Sequence, residues 1–176
     1  NTNIMLADTD GHIVYCNEAV LNMLRNAERD IRKDLPTFQV EGLVGRNFDV
    51  FHKNPAHQRN ILGHLSGEHR ATVKVGGRTF GLVANPVINA EGVRLGSVVE
   101  WVDRTDEVHA EEELATLMRA ALAGDFSQRL SLEGKKGFFI TLSEGMNQLT
   151  GIISTTLNDL ARVLNAIARG DLTEKI

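Results

Sequence analysis

The fold is decided by one stretch in the middle of the chain, Gly96-Ser97-Val98-Val99-Glu100-Trp101-Val102-Asp103-Arg104-Thr105. Its apolar first part predicts a strand that ends at Asp103. The Asp-x-Thr at the end of this strand runs directly into a charged segment that begins near Glu107 and favours a helix. The stretch therefore predicts the point at which a β-rich part of the chain gives way to a helical part.

Two more strands are predicted just before this one. Residues 70–75 and 78–88 are strand-like, with Gly76-Gly77 between them, and the turn-forming segment 89–92 precedes the strand at 94–103. Glycine and asparagine at these positions favour tight turns between neighbouring strands. The three strands are therefore expected to form an antiparallel meander.

A hairpin and several helical segments are predicted nearer the start of the chain. Residues 4–8 and 12–17 form two short strands, and Thr9-Asp10-Gly11 supplies the turn between them. Asn17 is placed to cap a helix over residues 18–25.

Further helical pieces are expected before the meander. Short helical turns are predicted through Ile31 and Leu35, and a helical stretch is predicted over residues 56–65. The first 103 residues therefore have a mixed α and β pattern.

The chain from Glu107 onward is predicted to be helical. Leu114, Met118 and Ala121 recur at steps of four and three, and a glycine-containing break over 124–137 leads to a second run with the same spacing. The members of that run are Leu142, Met146, Leu149, Ile153, Thr156, Leu160, Val163 and Ile167. Apolar residues at such spacing favour a partner helix.

An internal repeat links the two helical runs. Residues 118–126 are echoed by residues 164–172, and Gly124-Asp125 occupies the same place in the first copy as Gly170-Asp171 in the second. Two copies indicate tandem modules. The two aspartates are expected to fix the backbone where a helix meets its connector, rather than to act as a pair of catalytic carboxylates.

The composition favours a folded and mildly acidic protein. The 176 residues carry a formal net charge of −4, and 42% of them are hydrophobic. The cations are dispersed, so neither a nucleic-acid face nor membrane contact is expected. Cys16 is the only cysteine, which fits a reducing, cytoplasmic location. With no leader and no initiator methionine, the chain is expected to be a piece of a longer protein.

Two strands, small helices and three strands is the order of elements in PAS domains, and the Asp-x-Thr at 103–105 resembles their exit motif. The resemblance implies an α+β domain over residues 1–106, with a five-stranded antiparallel sheet around a ligand pocket. The repeated helix, Gly-Asp connector and helix resemble concatenated HAMP domains. This implies one HAMP domain over 107–168 and the start of a second over 164–176, and hence a homodimer through parallel coiled-coil helices.

One segment departs from the HAMP pattern. Many HAMP domains open their second helix with an Asp-Glu pair before a glycine, whereas this chain has Gly137-Phe138-Phe139-Ile140-Thr141-Leu142 there. A divergent type found in HAMP arrays is expected, and a generic dimeric coiled coil is the alternative.

Two imidazoles mark the segment Phe51-His52-Lys53-Asn54-Pro55-Ala56-His57-Gln58, which lies where PAS domains wall their pocket with short helices. Neutral imidazole is a good ligand for haem iron. An inward-pointing Trp101 would offer an N–H donor suited to a bound dioxygen, and Leu82 could seal the same side. The plainer interpretation is a solvated or capping His52 and ordinary core packing for the other two side chains.

The spacing of His52, Leu82 and Trp101 resembles the PAS domain of soluble haem-binding aerotaxis receptors, which are chemoreceptors that also carry HAMP arrays. The resemblance implies haem b as cofactor, with His52 as the axial ligand of its iron and Trp101 as the residue that stabilises bound dioxygen. It also implies that Leu82 lines the distal pocket and that His57 lies nearby without ligating the iron.

The same resemblance implies a route for the signal and a parent protein. Asp103 and Thr105 would join the sheet to the output helix, and HAMP helices would carry the change onward. The parent is expected to be a methyl-accepting chemotaxis protein that couples to a chemotaxis histidine kinase.

Other functions stay open at this point, because a PAS fold alone does not name a ligand. The alternatives are a PAS domain that binds a flavin or another small molecule, one that binds nothing and acts as a dimerising relay, and a purely structural linker. Histidine-kinase or cyclase parents are also possible. An enzyme is not expected, since the sequence has no glycine-rich phosphate loop, Cys/His metal spacing or nucleophile elbow.

Overall fold

The computed structural model describes residues 2–52 and 67–174. The chain divides into two compact units, Asn1–Thr105 and Asp106–Ile176. The helix predicted over 56–65 lies outside the described residues.

The first unit contains a five-stranded antiparallel sheet, counted over its described residues. The strands are β1 (Asn3–Asp8), β2 (Ile13–Cys16), β3 (His69–Val75), β4 (Arg78–Ile88) and β5 (Arg94–Asp103). They lie side by side in the order β2-β1-β5-β4-β3, so that β5 occupies the centre of the sheet. The predicted hairpin, meander and five-stranded sheet are therefore confirmed.

Helix α1 (Glu18–Asp34) follows the hairpin and starts at the predicted cap. The Asn17 side-chain oxygen accepts a hydrogen bond from the backbone N–H of Val20 at 3.0 Å, which satisfies one of the amides left free at a helix start. The helix is longer than the predicted residues 18–25, and the short turns expected through Ile31 are part of it. Its buried face continues along its whole length through Val20, Leu24, Ala27 and Ile31.

The core of the first unit includes a row of aromatic rings that connects the short 3₁₀ turn Phe48–Phe51 to the sheet. The Phe51 ring centroid lies 5.3 Å from that of Phe38 and 5.0 Å from that of Trp101. Trp101 in turn meets Phe80 edge-on at 5.9 Å. Such tilted and edge-on pairs are the favoured aromatic arrangements. The row fixes the position of Trp101 on β5.

The second unit contains the long helix α3 (Phe138–Ala168) and all but the first residue of α2 (Thr105–Leu122). The two copies of the internal repeat end their helices in the same way. The N–H of Asp125 donates to the carbonyl of Ala120, and the N–H of Asp171 donates to the carbonyl of Ala166. The preceding glycines, Gly124 and Gly170, have φ of +83° and +82°. Both ends are thus Schellman caps, which require a left-handed residue and favour glycine.

The aspartates of the repeat fix the backbone after each cap, as expected. The Asp125 carboxylate accepts hydrogen bonds from the backbone N–H and hydroxyl of Ser127, and Asp171 accepts the same two from Thr173. These bonds lower the pKa of the Asp125 carboxyl to about 2 and also lower that of Asp171. The sequence repeat is therefore a repeat of structure.

The connector between α2 and α3 is held by polar contacts within the second unit. The Asn147 side chain accepts from the backbone N–H of Leu130 at 2.7 Å and donates to its carbonyl at 2.9 Å. Lys135 forms an ion pair with Glu113. The Leu130 side chain is buried beside this double hydrogen bond, which makes it the anchor of the connector. Over residues 2–52 and 67–174, no helix is both long and apolar enough to cross a membrane.

Candidate functional site

A cavity of about 380 Å³ opens against the inner face of the sheet in the first unit. This volume falls within the range of roughly 300–1,000 Å³ that small-molecule sites occupy. Its apolar lining comes from β1, β3, β4, β5 and the 3₁₀ turn, and includes Met5, Ala7, Leu82, Ala84, Val99 and Trp101. Its polar lining includes Asp8, Asp10, His52, His69, Arg94 and Ser97. The cavity is therefore mostly apolar, with a few polar groups at defined places.

Trp101 faces the cavity with an unused hydrogen-bond donor. Its side chain is only 6% exposed, and Nε1 is buried with no hydrogen-bond partner among the described residues. A buried N–H without a partner costs about 1–3 kcal/mol, so native proteins rarely keep one. An acceptor brought by a ligand would remove this cost.

Leu82 lies directly opposite Trp101, because the two are cross-strand partners on β4 and β5. Both line the cavity, as does Val99 on the same face of β5. The register of the sheet therefore places Leu82 beside Trp101, and these are two of the three residues whose spacing resembles that of haem-binding PAS domains.

His52 lines the same cavity and follows directly after the 3₁₀ turn. Its Nδ1 lies 3.1 Å from the carbonyl oxygen of Phe48. Since a carbonyl oxygen only accepts, this contact assigns the proton of the neutral ring to Nδ1 and leaves the lone pair on Nε2. Burial lowers the pKa of His52 below its ordinary value, and the bond to Phe48 offsets part of that effect. The ring is therefore neutral at pH 7 and has a nitrogen that can bind a metal ion.

Of the predicted site residues, His57 lies outside the described residues, so its place relative to the cavity stays a prediction. The sequence reasoning missed Phe48 and Phe51, which line the cavity beside His52. Phe51 is the first residue of the segment 51–58 that contains both candidate histidines. Its position directly before His52 is the sequence signal that could have identified it. Arg94 and Ser97 gave no signal, because only the sheet register brings them to this cavity.

The exit motif at the end of β5 is closed by a compact network. The hydroxyl of Thr105 donates to the Asp103 carboxylate and accepts from the backbone N–H of Thr79 at 3.0 Å. The N–H of Thr105 also donates to Asp103 at 3.0 Å, and the N–H of Arg104 donates to the carbonyl of Thr79 at 2.8 Å. Thr105 and Thr79 are both buried. The start of α2 is thus joined to β4 as well as to β5.

Asp103 also pairs with Arg78, which the sequence did not single out. The Arg78 guanidinium lies 3.1 Å from the second oxygen of the Asp103 carboxylate. One carboxylate oxygen of Asp103 therefore accepts the hydrogen bonds from Thr105, and the other pairs with the Arg78 guanidinium.

Known proteins resemble this chain over both its parts. A sequence-family model described as PAS domain matches residues 1–55. The methyl-accepting chemotaxis protein McpB of Pseudomonas aeruginosa is 50% identical over all 176 residues, and this chain spans only 26% of that protein's length. The chain thus covers about a quarter of the curated relative that it matches.

A solved structure shows a likeness in fold as well as in sequence. The Aer2 receptor from Vibrio cholerae, described as a dual PAS-heme oxygen sensor, is 38% identical, with a TM-score of 0.55. The match covers 58% of this chain and 94% of that one. The sheet order, the cavity beneath the sheet and these likenesses agree, and the chain belongs to the PAS domain family.

Proposed function

We propose that the first unit is a haem-based dioxygen sensor and that the second unit carries its signal within a methyl-accepting chemotaxis protein. The observation that carries this proposal is the buried indole N–H of Trp101, which has no partner in the described part of the chain and lies on the wall of an apolar cavity that His52 also lines. The similarity to Aer2, a PAS-heme oxygen sensor, supports the same ligand.

The donor set of the cavity fits haem b. A histidine that ligates haem iron must be neutral with a free ring nitrogen, and His52 meets this requirement because its Nδ1–H donates to the Phe48 carbonyl and leaves Nε2 free. Met5, Leu82 and Val99 provide apolar surface for a flat, mostly apolar group. When bound, haem supplies an iron that takes up a diatomic gas. His57, in this proposal, lies near the group without ligating it.

Trp101 is proposed as the residue that recognises dioxygen. Its indole can only donate a hydrogen bond, so it favours a ligand that carries partial negative charge over one that does not. Leu82, directly across from it, offers no polar group and keeps water from competing for the indole N–H. Discrimination between gases would then come from the indole N–H of Trp101, which Leu82 shields from water.

The signal is proposed to leave through Asp103 and Thr105. A ligand shifts a two-state element only by its different affinity for the two states, so the contact at Trp101 must differ between them. Trp101 lies on β5 two residues before Asp103, and Thr105 is the first residue of α2. A small shift of β5 would therefore change the hydrogen bonds that hold the start of α2.

The second unit is proposed to be a HAMP domain over residues 107–168, with the start of a second over 164–176, in a homodimer. The repeated Schellman caps support two copies of one module. Helix α3 also leaves apolar side chains exposed along its length, among them Leu149, Ile152, Leu157, Leu160, Leu164 and Ile167. Such a helix face is typical of a coiled coil that lacks its partner. The unusual residues at 137–142 make a generic coiled coil the alternative.

The parent protein is proposed to be a cytoplasmic receptor without enzymatic activity that controls a chemotaxis histidine kinase. The likeness to McpB supports the receptor class.

A PAS domain that binds another small molecule, or none, is the second candidate, because a cavity of about 380 Å³ lies near the lower end of the usual range and would also hold a small ligand.

The test is the absorption spectrum of protein produced with a haem precursor, recorded oxidised, reduced, and reduced under oxygen. A Soret band that shifts with oxygen and is lost in His52→Ala would support the proposal. The matched control is His109→Ala, which removes an exposed imidazole from the second unit and should leave the band unchanged. A colourless protein that also fails to bind added haemin would reject the haem sensor in favour of the relay.

A further inference from the structure

Arg78 contacts two parts of the first unit that are far apart in sequence. It is the first residue of β4, and its guanidinium reaches the Asp103 carboxylate on β5 at 3.1 Å and the Asp30 carboxylate on α1 at 2.8 Å. A third contact runs to the carbonyl oxygen of Asn26, also on α1, at 3.5 Å. The planar guanidinium therefore bridges helix α1 and the exit motif.

The bridge is sheltered rather than fully solvated. The side chains of Asp30, Arg78 and Asp103 are each about a quarter exposed, at 28%, 26% and 25%. Fully exposed ion pairs contribute little, and partial burial with hydrogen bonds to the charged groups strengthens the contact. The side-chain hydrogen bond from Lys33, followed by that from Arg78, lowers the pKa of the Asp30 carboxyl to about 2. Asp30 is therefore charged at every pH at which the protein would act.

A second contact joins α1 to the turn that precedes Arg78. The backbone N–H of Gly76 donates to the Asp34 carboxylate at 2.7 Å. Gly76 has φ of +59°, and a Cβ added to it would lie 1.8 Å from the carbonyl oxygen of Asp30. The β3–β4 turn thus lies directly against the C-terminal part of α1, which holds Arg78 at the right distance from Asp30.

The buried side of helix α1 belongs to the same core as Trp101, which lines the cavity. Val20, Leu24, Ala27 and Ile31 belong to the same core cluster as Trp101 and Phe80. Trp101 thus shares a core with α1 and a strand with Asp103. Arg78 contacts both elements, α1 at Asp30 and β5 at Asp103.

We propose that Arg78 is a positioning residue that couples helix α1 to the Asp103–Thr105 exit motif, so that α1 provides the motif with a second input beside β5. The contacts of Arg78 motivate the coupling, and only its use in signalling rests on the proposed function. Lysine could not replace Arg78, because a single ammonium lacks the planar fork that serves two carboxylates at once.

The test is amide hydrogen exchange on the ligand-free protein with the substitution Asp30→Asn. This substitution keeps the size of the side chain and removes only its charge, so the fold should be retained. We expect faster exchange at the amides of Thr79 and Thr105, which do not contact Asp30, by about fivefold or more relative to the amides of β1. Arg78→Lys should produce the same local pattern.

The matched control is Glu18→Gln, which removes one negative charge from the other end of the same helix. Glu18 lies about 18 Å from Asp30 along the helix axis, from the rise of about 1.5 Å per residue. It should leave the Thr79 and Thr105 amides unchanged. Contiguity of contacts alone does not prove coupling, so the exchange pattern decides.

Two outcomes would overturn the proposal. Uniform acceleration of all amides in the sheet would show that Asp30 supports only global stability, and no acceleration at Thr79 and Thr105 would show that the bridge carries no coupling. Neither outcome bears on haem binding, and a protein that binds no haem would leave this measurement intact. The two proposals therefore fail separately.

Discussion

The substitution Trp101→Phe separates the two roles that the structure gives this side chain, because it removes the indole N–H and keeps an aromatic ring among its neighbours. Removing a buried donor that has no partner relieves about 1–3 kcal/mol of unfavourable free energy. The smaller ring forfeits part of the packing against Phe51 and Phe80, where full truncation of a core aromatic costs about 3–5 kcal/mol. The free energy of unfolding of the ligand-free protein should therefore change by no more than about 2 kcal/mol.

In the haem-loaded protein that we propose, the effect of Trp101→Phe on dioxygen release should have one sign. A hydrogen bond to a charged acceptor contributes about 1.5–3 kcal/mol, and about 1.4 kcal/mol corresponds to a tenfold change. Dioxygen should therefore dissociate roughly 10- to 100-fold faster from Trp101→Phe. Stopped-flow measurement of dioxygen release, beside urea unfolding of the ligand-free protein, provides both numbers.

Phe80→Leu is the packing control, since Phe80 is fully buried and meets Trp101 edge-on without offering a donor. It should lower the free energy of unfolding and leave the rate of dioxygen release within about threefold of the wild type, a change well under 1 kcal/mol. The reasoning is refuted if dioxygen leaves Trp101→Phe at the wild-type rate, or if Phe80→Leu accelerates release as much as Trp101→Phe does.

Three further predictions concern other parts of the first unit. Because the folded chain holds His52 with a lowered pKa, its contribution to stability is present above about pH 6.5 and is lost as the pH falls through the lowered value; urea midpoints of the wild type should fall more steeply with acid than those of His52→Ala. Thr105→Val leaves the buried N–H of Thr79 without its acceptor and should cost about 1–3 kcal/mol in urea unfolding, whereas Thr105→Ser should cost less than about 1 kcal/mol. Gly76→Ala should lower the thermal midpoint far more than Gly77→Ala, because both glycines have positive φ and only the first lies against the backbone of α1; equal losses would contradict the close approach.

The strands of the meander were predictable almost to the residue, and the physical reason is local. Gly76-Gly77 and the segment 89–92 are turn sequences, and they bound the strand between them on both sides. The second half of α1 was predicted only as separate short turns, because charged residues from Arg25 to Asp34 conceal the apolar face that Ala27 and Ile31 continue. A helix prediction that stops where the polar residues begin ends too early.

The residues of the site likewise fall into those that local sequence could identify and those that depend on long-range contacts. The suitability of an imidazole and an indole for a gas-binding pocket follows from their chemistry, and resemblance pointed to His52 and Trp101. That Leu82 faces Trp101, or that Arg78 meets both Asp30 and Asp103, depends on strand register and on helix packing. Neither can be read from spacing, since the partners of Arg78 lie far from it in the chain.

The central place of β5 also governs how the first unit can be made. Before β5 forms, the described strands make two separate pieces, the β1–β2 hairpin and the β3–β4 pair, and β5 is the only strand that pairs with both. The pairing of β5 with β1 joins residues that are separated by almost the whole sequence of the unit. The hydrogen bond from the Asn3 side chain to the Trp101 carbonyl, for example, joins residues 98 positions apart. Closing so long a loop is slow, and on the ribosome β1 must wait for residues near Asp103 to emerge. The strand that carries Asp103 is thus the one that completes the fold, so helix α2 cannot follow a closed sheet until β5 has paired with both pieces.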